Sequence, residues 1–279
     1  MSTPVFSIIT INYNNREGLE KTIASVVSQT YSNYEFIIID GGSTDGVGDT
    51  IKSYEKHISF WCSEKDKGIY DAQNKGIAKA TGDFLIFMNS GDCFADKDVL
   101  EKAIRFINYH KGYNVYYGNT NLVEENGVKR FLAPPKLLDL NFFFFATLNH
   151  QSCFIHRSLF AKYGVYNLDY KIGADYEFFL KLFLNEPQSF IYINELICDY
   201  ENYGTSANTK FFNLIVKERT QIHKALLSKD QLKRRERIEI QMLGRESTVF
   251  KKVPNSDRLK SLYDRFYYQW YKFIAKSKN

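Results

Sequence analysis

The residues of this 279-residue sequence best placed to do chemistry are carboxylates that follow short apolar runs. Phe84 to Met88 is such a run, and the polar turn Asn89-Ser90-Gly91-Asp92 comes directly after it. A strand buried on both faces belongs to an open parallel sheet, and ligands collect outside the carboxyl ends of such strands. Asp92 is therefore expected to hold a phosphate-bound cation, since hard divalent ions take oxygen ligands. Asp40 repeats the arrangement: it follows Phe36 to Ile39 and opens the turn Gly41-Gly42-Ser43-Thr44-Asp45-Gly46, which lacks the spacing of a dinucleotide fingerprint. Asp175 falls instead in the first turn of an amphipathic helix predicted from Ala174 to Leu184. A helix N-terminus lowers a carboxyl pKa and favours the ionised form that a general base requires. No Ser/His/Asp or Cys/His arrangement points to a covalent route.

The elements that must position these groups are legible in order. Val5 to Ile11 reads as a central strand opening into the loop Asn12 to Asn15. Leu19, Ile23, Val26 and Val27 recur at helical steps from Arg16 to near Gln29. Strands follow at Phe36 to Ile39 and around Ile58, Phe60 and Trp61, and a helix over Asp71 to Lys79 leads to the strand at Phe84. That rhythm predicts right-handed βαβ units, an α/β fold and a mostly parallel central sheet flanked by helices. Beyond Asp92 the expectations are a helix at Asp98 to Tyr109, a strand at Val115 to Tyr117 and a hairpin through Asn126-Gly127. Further strands are expected around Gln151 to His156, Phe190 to Ile193 and Leu196 to Tyr200. Phe142 to Phe145 reads as core or as the wall of an acceptor pocket.

Composition divides the chain. Of its 37 Lys+Arg and 32 Asp+Glu, residues 207–279 hold 18 and 7, so the net +5 conceals a basic, helical tail and an acidic remainder. We therefore expect a catalytic domain over 1–206, with ligand binding in 1–95 and an acceptor side in 96–206, followed by an extension over 207–279. Within it, Leu259, Leu262, Tyr263, Phe266, Trp270, Phe273 and Ile274 recur at three- and four-residue steps. Such a helix over 257–276 suits packing on the catalytic domain or a second subunit, or a membrane interface. The four scattered cysteines suit reduced thiols, and no apolar run is long enough to span a bilayer. A cytoplasmic protein is expected, with the inner membrane face as one destination of the tail.

Five blocks together carry a resemblance. They are Ser7-Ile8-Ile9-Thr10-Ile11-Asn12-Tyr13-Asn14, Ile39 to Gly46, Gly68 to Gly76, Ala80-Thr81-Gly82-Asp83 with Asn89 to Asp92, and Ala174-Asp175-Tyr176-Glu177. In this order the chain resembles the family-two nucleotide-sugar glycosyltransferases with the GT-A fold, of the bacterial polysaccharide-assembly type. The resemblance implies a UDP-sugar donor, a glycan or lipid-linked glycan acceptor, and Mn²⁺ or Mg²⁺. It implies that Thr10, Tyr13, Asp40 and Asn74 line the nucleoside site, with Tyr13 against the base and Asp40 accepting from the uracil ring N–H. Asp92 resembles the second carboxylate of the family's Asp-x-Asp motif, whose earlier acidic positions are Asn89 and Ser90 here. His150 stands where related enzymes place a further diphosphate or metal contact, and Lys67 or Lys75 replaces an arginine that the family often carries. Asp175 matches the catalytic acidic position, with Glu177 next in line.

The activity implied is inverting transfer of a hexosyl or N-acetylhexosaminyl group. The base takes the acceptor hydroxyl's proton while positive charge stabilises the leaving diphosphate. Taken singly, Asp40 is equally a turn-forming residue, Asp175 a favourable first-turn acid and His150 a structural hydrogen-bonding group. Sugar nucleotidyl transfer is a second reading, but it ordinarily begins with a Gly-rich loop carrying Lys or Arg, where this chain has Asn12-Tyr13-Asn14-Asn15. A non-catalytic assembly partner that keeps the nucleotide pocket is a third. Nucleic-acid binding is not expected, because the basic tail carries no recognisable module.

Overall fold

The structure, a computed structural model, describes residues 5–201 and 212–250, with side chains beyond 212 described to residue 240. The aromatic segment 257–276 lies outside the described residues. Nine strands form one sheet: β1 (Phe6–Asn12), β2 (Tyr34–Asp40), β3 (Phe60–Ser63), β4 (Phe84–Phe87), β5 (Cys93–Phe94), β6 (Val115–Val123), β7 (Lys129–Leu132), β8 (Cys153–His156) and β9 (Phe190–Glu201). The helices are α1 (Arg16–Val27), α2 (Val47–Ser53), α3 (Ile69–Lys79), α4 (Val99–Tyr109), α5 (Leu140–Phe145), α6 (Ser158–Tyr163), α7 (Ala174–Asn185), α8 (Phe212–Leu226) and α9 (Lys229–Phe250).

The sheet order is β3-β2-β1-β4-β8-β6-β9-β5, with β7 paired to β6. From β3 to β4 every pairing is parallel, as the βαβ rhythm predicts. Beyond β4 the sheet is mixed: β8 runs antiparallel to both β4 and β6, whereas β6 and β9 are parallel. Two connections in this half are direct, the loop from β4 to β5 and the Asn-Gly hairpin from β6 to β7, while the others carry α4, α5, α6 and α7. The strands expected at Phe190 and Leu196 are one strand, β9. The small elements α2, α6 and β5 carry no periodic signal of their own.

Alternation along the strands builds two core layers. Phe6, Ile8, Phe36, Ile38, Phe84 and Ile86 face α1, α2 and α4, while Ile9, Ile11, Ile37, Ile39, Leu85 and Phe87 face α3 and the aromatic layer of α5, α6 and α7. This two-sided burial explains why the sequence shows continuous apolar runs instead of alternation. Phe142, Phe143 and Phe144 of α5 are buried in the second layer, so they serve as core. Ile222 of α8 and Leu227 just after it are buried in that same layer, so the compositional boundary at 206/207 does not separate two cores. Among the described residues, no helix is long and apolar enough to cross a membrane.

Register then sets the site. Asn12, Asp40 and Ser63, the last residues of β1, β2 and β3, pair side by side at the carboxyl edge. β4 delivers Asn89 to Asp92 to the same edge, with the N–H groups of Met88 and Ser90 donating to Ile9 and Ile11 of β1.

Candidate active site at the carboxyl edge of the sheet

Asp40 is the floor of the site. Its Oδ1 accepts from Asn12 Nδ2 (2.8 Å) and Ser43 Oγ (2.5 Å), and its Oδ2 from the Ser43 N–H (2.9 Å) and Ser63 Oγ (2.6 Å). Burial pushes the Asp40 carboxyl up, but these hydrogen bonds outweigh it and hold the group below its ordinary value. Four donors fill a carboxylate's acceptor sites, and the residue is fully buried. Asp40 thus locks the turn Gly41 to Gly46, with its oxygens on these donors. Thr10 is likewise internal, donating its hydroxyl to the Met88 carbonyl at 2.6 Å. Asn74 is engaged as well. Its amide donates to the Tyr166 carbonyl (2.8 Å) and accepts from the Tyr166 N–H (2.9 Å), pinning α3 to the segment after α6.

Above this floor, Tyr13 is 66% exposed at the end of the first loop. Asp66, which the sequence reading did not single out, stands beside it. A Cβ at Gly41 would lie 2.4 Å from Asp66 Oδ2 and 3.2 Å from Tyr13 Cδ2, so the missing side chain lets both approach. Asp66 Oδ1 accepts the Gly68 N–H at 2.8 Å, which fixes the carboxylate beside Gly41 and Tyr13. The sequence offered little signal, since Glu64-Lys65-Asp66-Lys67 reads as a solvated charged loop. Of the two lysines considered, Lys75 is engaged with Glu64 at 2.7 Å and Asp71 at 3.8 Å. Lys67 is exposed on the same loop as Asp66.

A second cluster surrounds Asp175, the second residue of α7, whose side chain is 17% exposed. His150 Nδ1 lies 3.2 Å from its Oδ2, and the Tyr70 hydroxyl lies 2.8 Å from its Oδ1. A carboxylate only accepts, so Nδ1 carries the proton, and Nε2 faces Asn89 Nδ2 at 3.2 Å. Gln73 Nε2 donates in turn to Asn89 Oδ1 at 3.3 Å. Donors thus run from α3 through β4 and His150 to Asp175. Burial alone would raise the Asp175 carboxyl; the bond and charge of His150, with the Tyr70 hydroxyl and the Tyr176 N–H, bring it below its ordinary value. Glu177 is two residues along the helix, on another face, with Lys181 3.7 Å away.

Asp92 departs from its expected role. The residue is 3% exposed; Oδ2 accepts from Gln151 Nε2 (3.1 Å) and Oδ1 from the Glu201 N–H (3.0 Å). Burial pushes its pKa up to about 7 despite these bonds. Gly91, with φ +105°, turns the chain so that Asp92 points inward, and a Cβ there would meet the Glu201 carboxylate at 2.4 Å. Asp92 therefore ties the loop after β4 to the end of β9. Ser90 donates its hydroxyl to the Asn15 carbonyl at 3.1 Å. Among the described residues, no group of three or more His, Cys, Asp or Glu could hold a metal. The carboxylates at this edge are each engaged, Asp40, Asp92 and Asp175 by inward donors and Asp66 by the Gly68 N–H, and with the amides and the imidazole they do not make a preformed Mn²⁺ or Mg²⁺ site.

The wider comparison agrees with this architecture. The profile of "Glycosyl transferase family 2" matches residues 7–164. An uncharacterized glycosyltransferase of Mycobacterium tuberculosis is 37% identical over 219 residues, which covers 74% of this chain and 79% of that protein. A PGL/p-HBAD biosynthesis glycosyltransferase of Mycobacterium bovis is 30% identical over 213 residues, covering 75% and 81%. Among solved structures, residues 1–349 of Staphylococcus aureus TarS, in complex with UDP-GlcNAc, superpose with a TM-score of 0.62 at 19% identity, covering 81% of this chain and 68% of that one. The fold is thus the GT-A type, and the protein is a glycosyltransferase. With a profile match across the whole parallel half of the sheet and relatives similar over three quarters of its length, the chain belongs to glycosyl transferase family 2.

Proposed function

We propose that the protein is an inverting glycosyltransferase that moves a hexosyl or N-acetylhexosaminyl group from a UDP-sugar to a hydroxyl of a glycan or lipid-linked glycan. The observation that carries this reading is Asp175, held ionised by His150 and Tyr70 at the sheet edge that also presents Tyr13 and Asp66. Tyr13 stacks on the base, and Asp66 Oδ2 accepts the uracil ring N–H. Asp175 takes the acceptor hydroxyl's proton as that oxygen attacks the anomeric carbon. The new C–O bond forms as the bond to the diphosphate breaks on the opposite face, and the diphosphate departs with the electron pair. Attack from the opposite face inverts the anomeric centre. Lys67 and the His150 ring are the groups assigned to the departing charge, and no step is assigned to a divalent cation. The name of the Mycobacterium bovis relative, PGL/p-HBAD biosynthesis glycosyltransferase, favours an acceptor that is an intermediate of a biosynthesis. The tail over 257–276 then serves as a membrane or subunit contact.

Thermal unfolding with UDP, GDP, UTP, UDP-N-acetylglucosamine and UDP-glucose, each with and without Mn²⁺, tests the donor class. A ligand that binds only the folded form raises its apparent stability. UDP and at least one UDP-sugar should raise the melting temperature, and UDP release should follow with that donor. Stabilisation by UTP alone would turn the reading to nucleotidyl transfer; binding of UDP without any turnover would leave a non-catalytic partner.

A further inference from the structure

The helix that carries Asp175 has no side-chain cap of its own. The backbone N–H groups of Lys171, Ile172 and Gly173, just ahead of α7, all donate to the Glu218 carboxylate, at 2.8, 3.0 and 2.8 Å. Glu218 lies on α8 and is 3% exposed. The carbonyl of Ile172 accepts the Tyr70 hydroxyl at 2.5 Å, and that hydroxyl is also 2.8 Å from Asp175 Oδ1. A continuous path of contacts thus joins Glu218 to Asp175 through three residues of backbone and one phenol. On the far side of Asp175, the Tyr176 hydroxyl meets His223 Nε2 at 2.5 Å, and the Arg219 guanidinium lies 4.4 Å over the Tyr176 ring. α8 grips the chain on both sides of Asp175.

We propose that Glu218 is a positioning residue for Asp175, which makes α8 part of the catalytic unit. The inference rests on Asp175 being the base. Three convergent N–H groups, that of Gly173 buried and those of Lys171 and Ile172 partly so, suit a carboxylate: an amide offers one oxygen and turns its own N–H₂ toward the remaining donors. Without Glu218 the loop ahead of α7 relaxes, and with it the backbone that places Asp175 against the Tyr70 hydroxyl and His150. The groups facing Asp175 are Tyr70 from α3, His150, Tyr166 and the Cys153 thiol of β8. All of these persist in a Glu218 variant, so a change in Asp175 reports the loop.

The test is a carbon-13 titration of the aspartate carboxyls in the full chain, with the Asp175 resonance identified by its absence from Asp175→Asn. Wild type is compared with Glu218→Gln, Glu218→Asp and, as a packing control on the same layer, Leu227→Ala. Asp175 should titrate at higher pH in Glu218→Gln, shift back in part in Glu218→Asp, and match wild type in Leu227→Ala. Release of UDP from UDP-N-acetylglucosamine should fall roughly 10- to 100-fold in kcat for Glu218→Gln with KM nearly unchanged, the scale of a small misplacement of a reacting group. An unmoved Asp175 titration in folded Glu218→Gln, or an equal shift in Leu227→Ala, overturns the proposal. Wild-type UDP release by Asp175→Asn would instead remove the base reading itself, so the two failures are distinguishable.

Discussion

At the scale of single residues, two carboxylates separate binding from chemistry. Asp175→Asn keeps the size of the side chain and can still accept from His150, but cannot take a proton. Turnover should fall by roughly 10²- to 10⁴-fold, the usual contribution of a general base, while UDP affinity measured by calorimetry stays within a few-fold of wild type. An unchanged rate would transfer the role elsewhere. Asp66→Ala should do the reverse. If its Oδ2 accepts the uracil N–H, UDP binding should weaken roughly 10-fold or more, since a hydrogen bond to a charged group contributes about 1.5–3 kcal/mol. Equal affinity for UDP in the two proteins would remove Asp66 from base recognition. Asp175 stood out from its place in the first turn of a periodic helix, and His150 only through the resemblance. Asp66 gave no signal because an acid between two lysines looks like any solvated loop. Asp40 and Asp92 stood out as carboxylates after apolar runs, but their burial and their four or two inward donors, respectively, are invisible in one dimension.

At the scale of elements, Asp92 predicts a pH signature. The group joins the β4 loop to β9 and to Gln151, and its folded pKa of about 7 lies above the unfolded value of 3.8. The folded state therefore binds the proton more tightly. The stability linked to this proton is fully present below the unfolded value and is lost as pH rises through about 7. Asp92→Asn removes that titration while keeping one acceptor oxygen. The variant should lose less melting temperature than wild type between pH 5 and 8, measured by thermal unfolding at constant ionic strength. Parallel curves for the two proteins would show that Asp92 does not titrate in this window. The parallel half of the sheet needed no such correction, because each of its strands carries a short apolar run of its own, broken only at Ser7 and Thr10 of β1. The mixed half was less legible: β5 has two residues and α6 has six, too few for any period to register.

At the scale of the whole molecule, the chain cannot be divided where its composition divides. The excess of positive charge after residue 206 marks surface, and a charge count does not register Ile222, Leu227 and Glu218 pointing inward. His223 illustrates the same point, for burial, with Arg235 and Arg219 nearby, pulls its pKa down to about 3. A depressed folded value means that the unfolded chain binds the proton first, so this contribution is present above about 6.5 and is lost as pH falls toward 3. His223→Gln should soften the acid loss of stability over that range. A chain ending at residue 206 should fare far worse. It would strip the acceptor from the N–H groups of residues 171–173 and expose the apolar face that Ile222 and Leu227 cover. Losing a buried aliphatic side chain costs about 2–5 kcal/mol, so the loss of two is comparable with the roughly 5–15 kcal/mol by which a domain is stable. The shortened chain should therefore show no cooperative thermal transition and rapid proteolysis around residues 165–185. A cooperative transition near the wild-type temperature would show that α8 is an appendage, and it would also weaken the case for Glu218 as the support of Asp175.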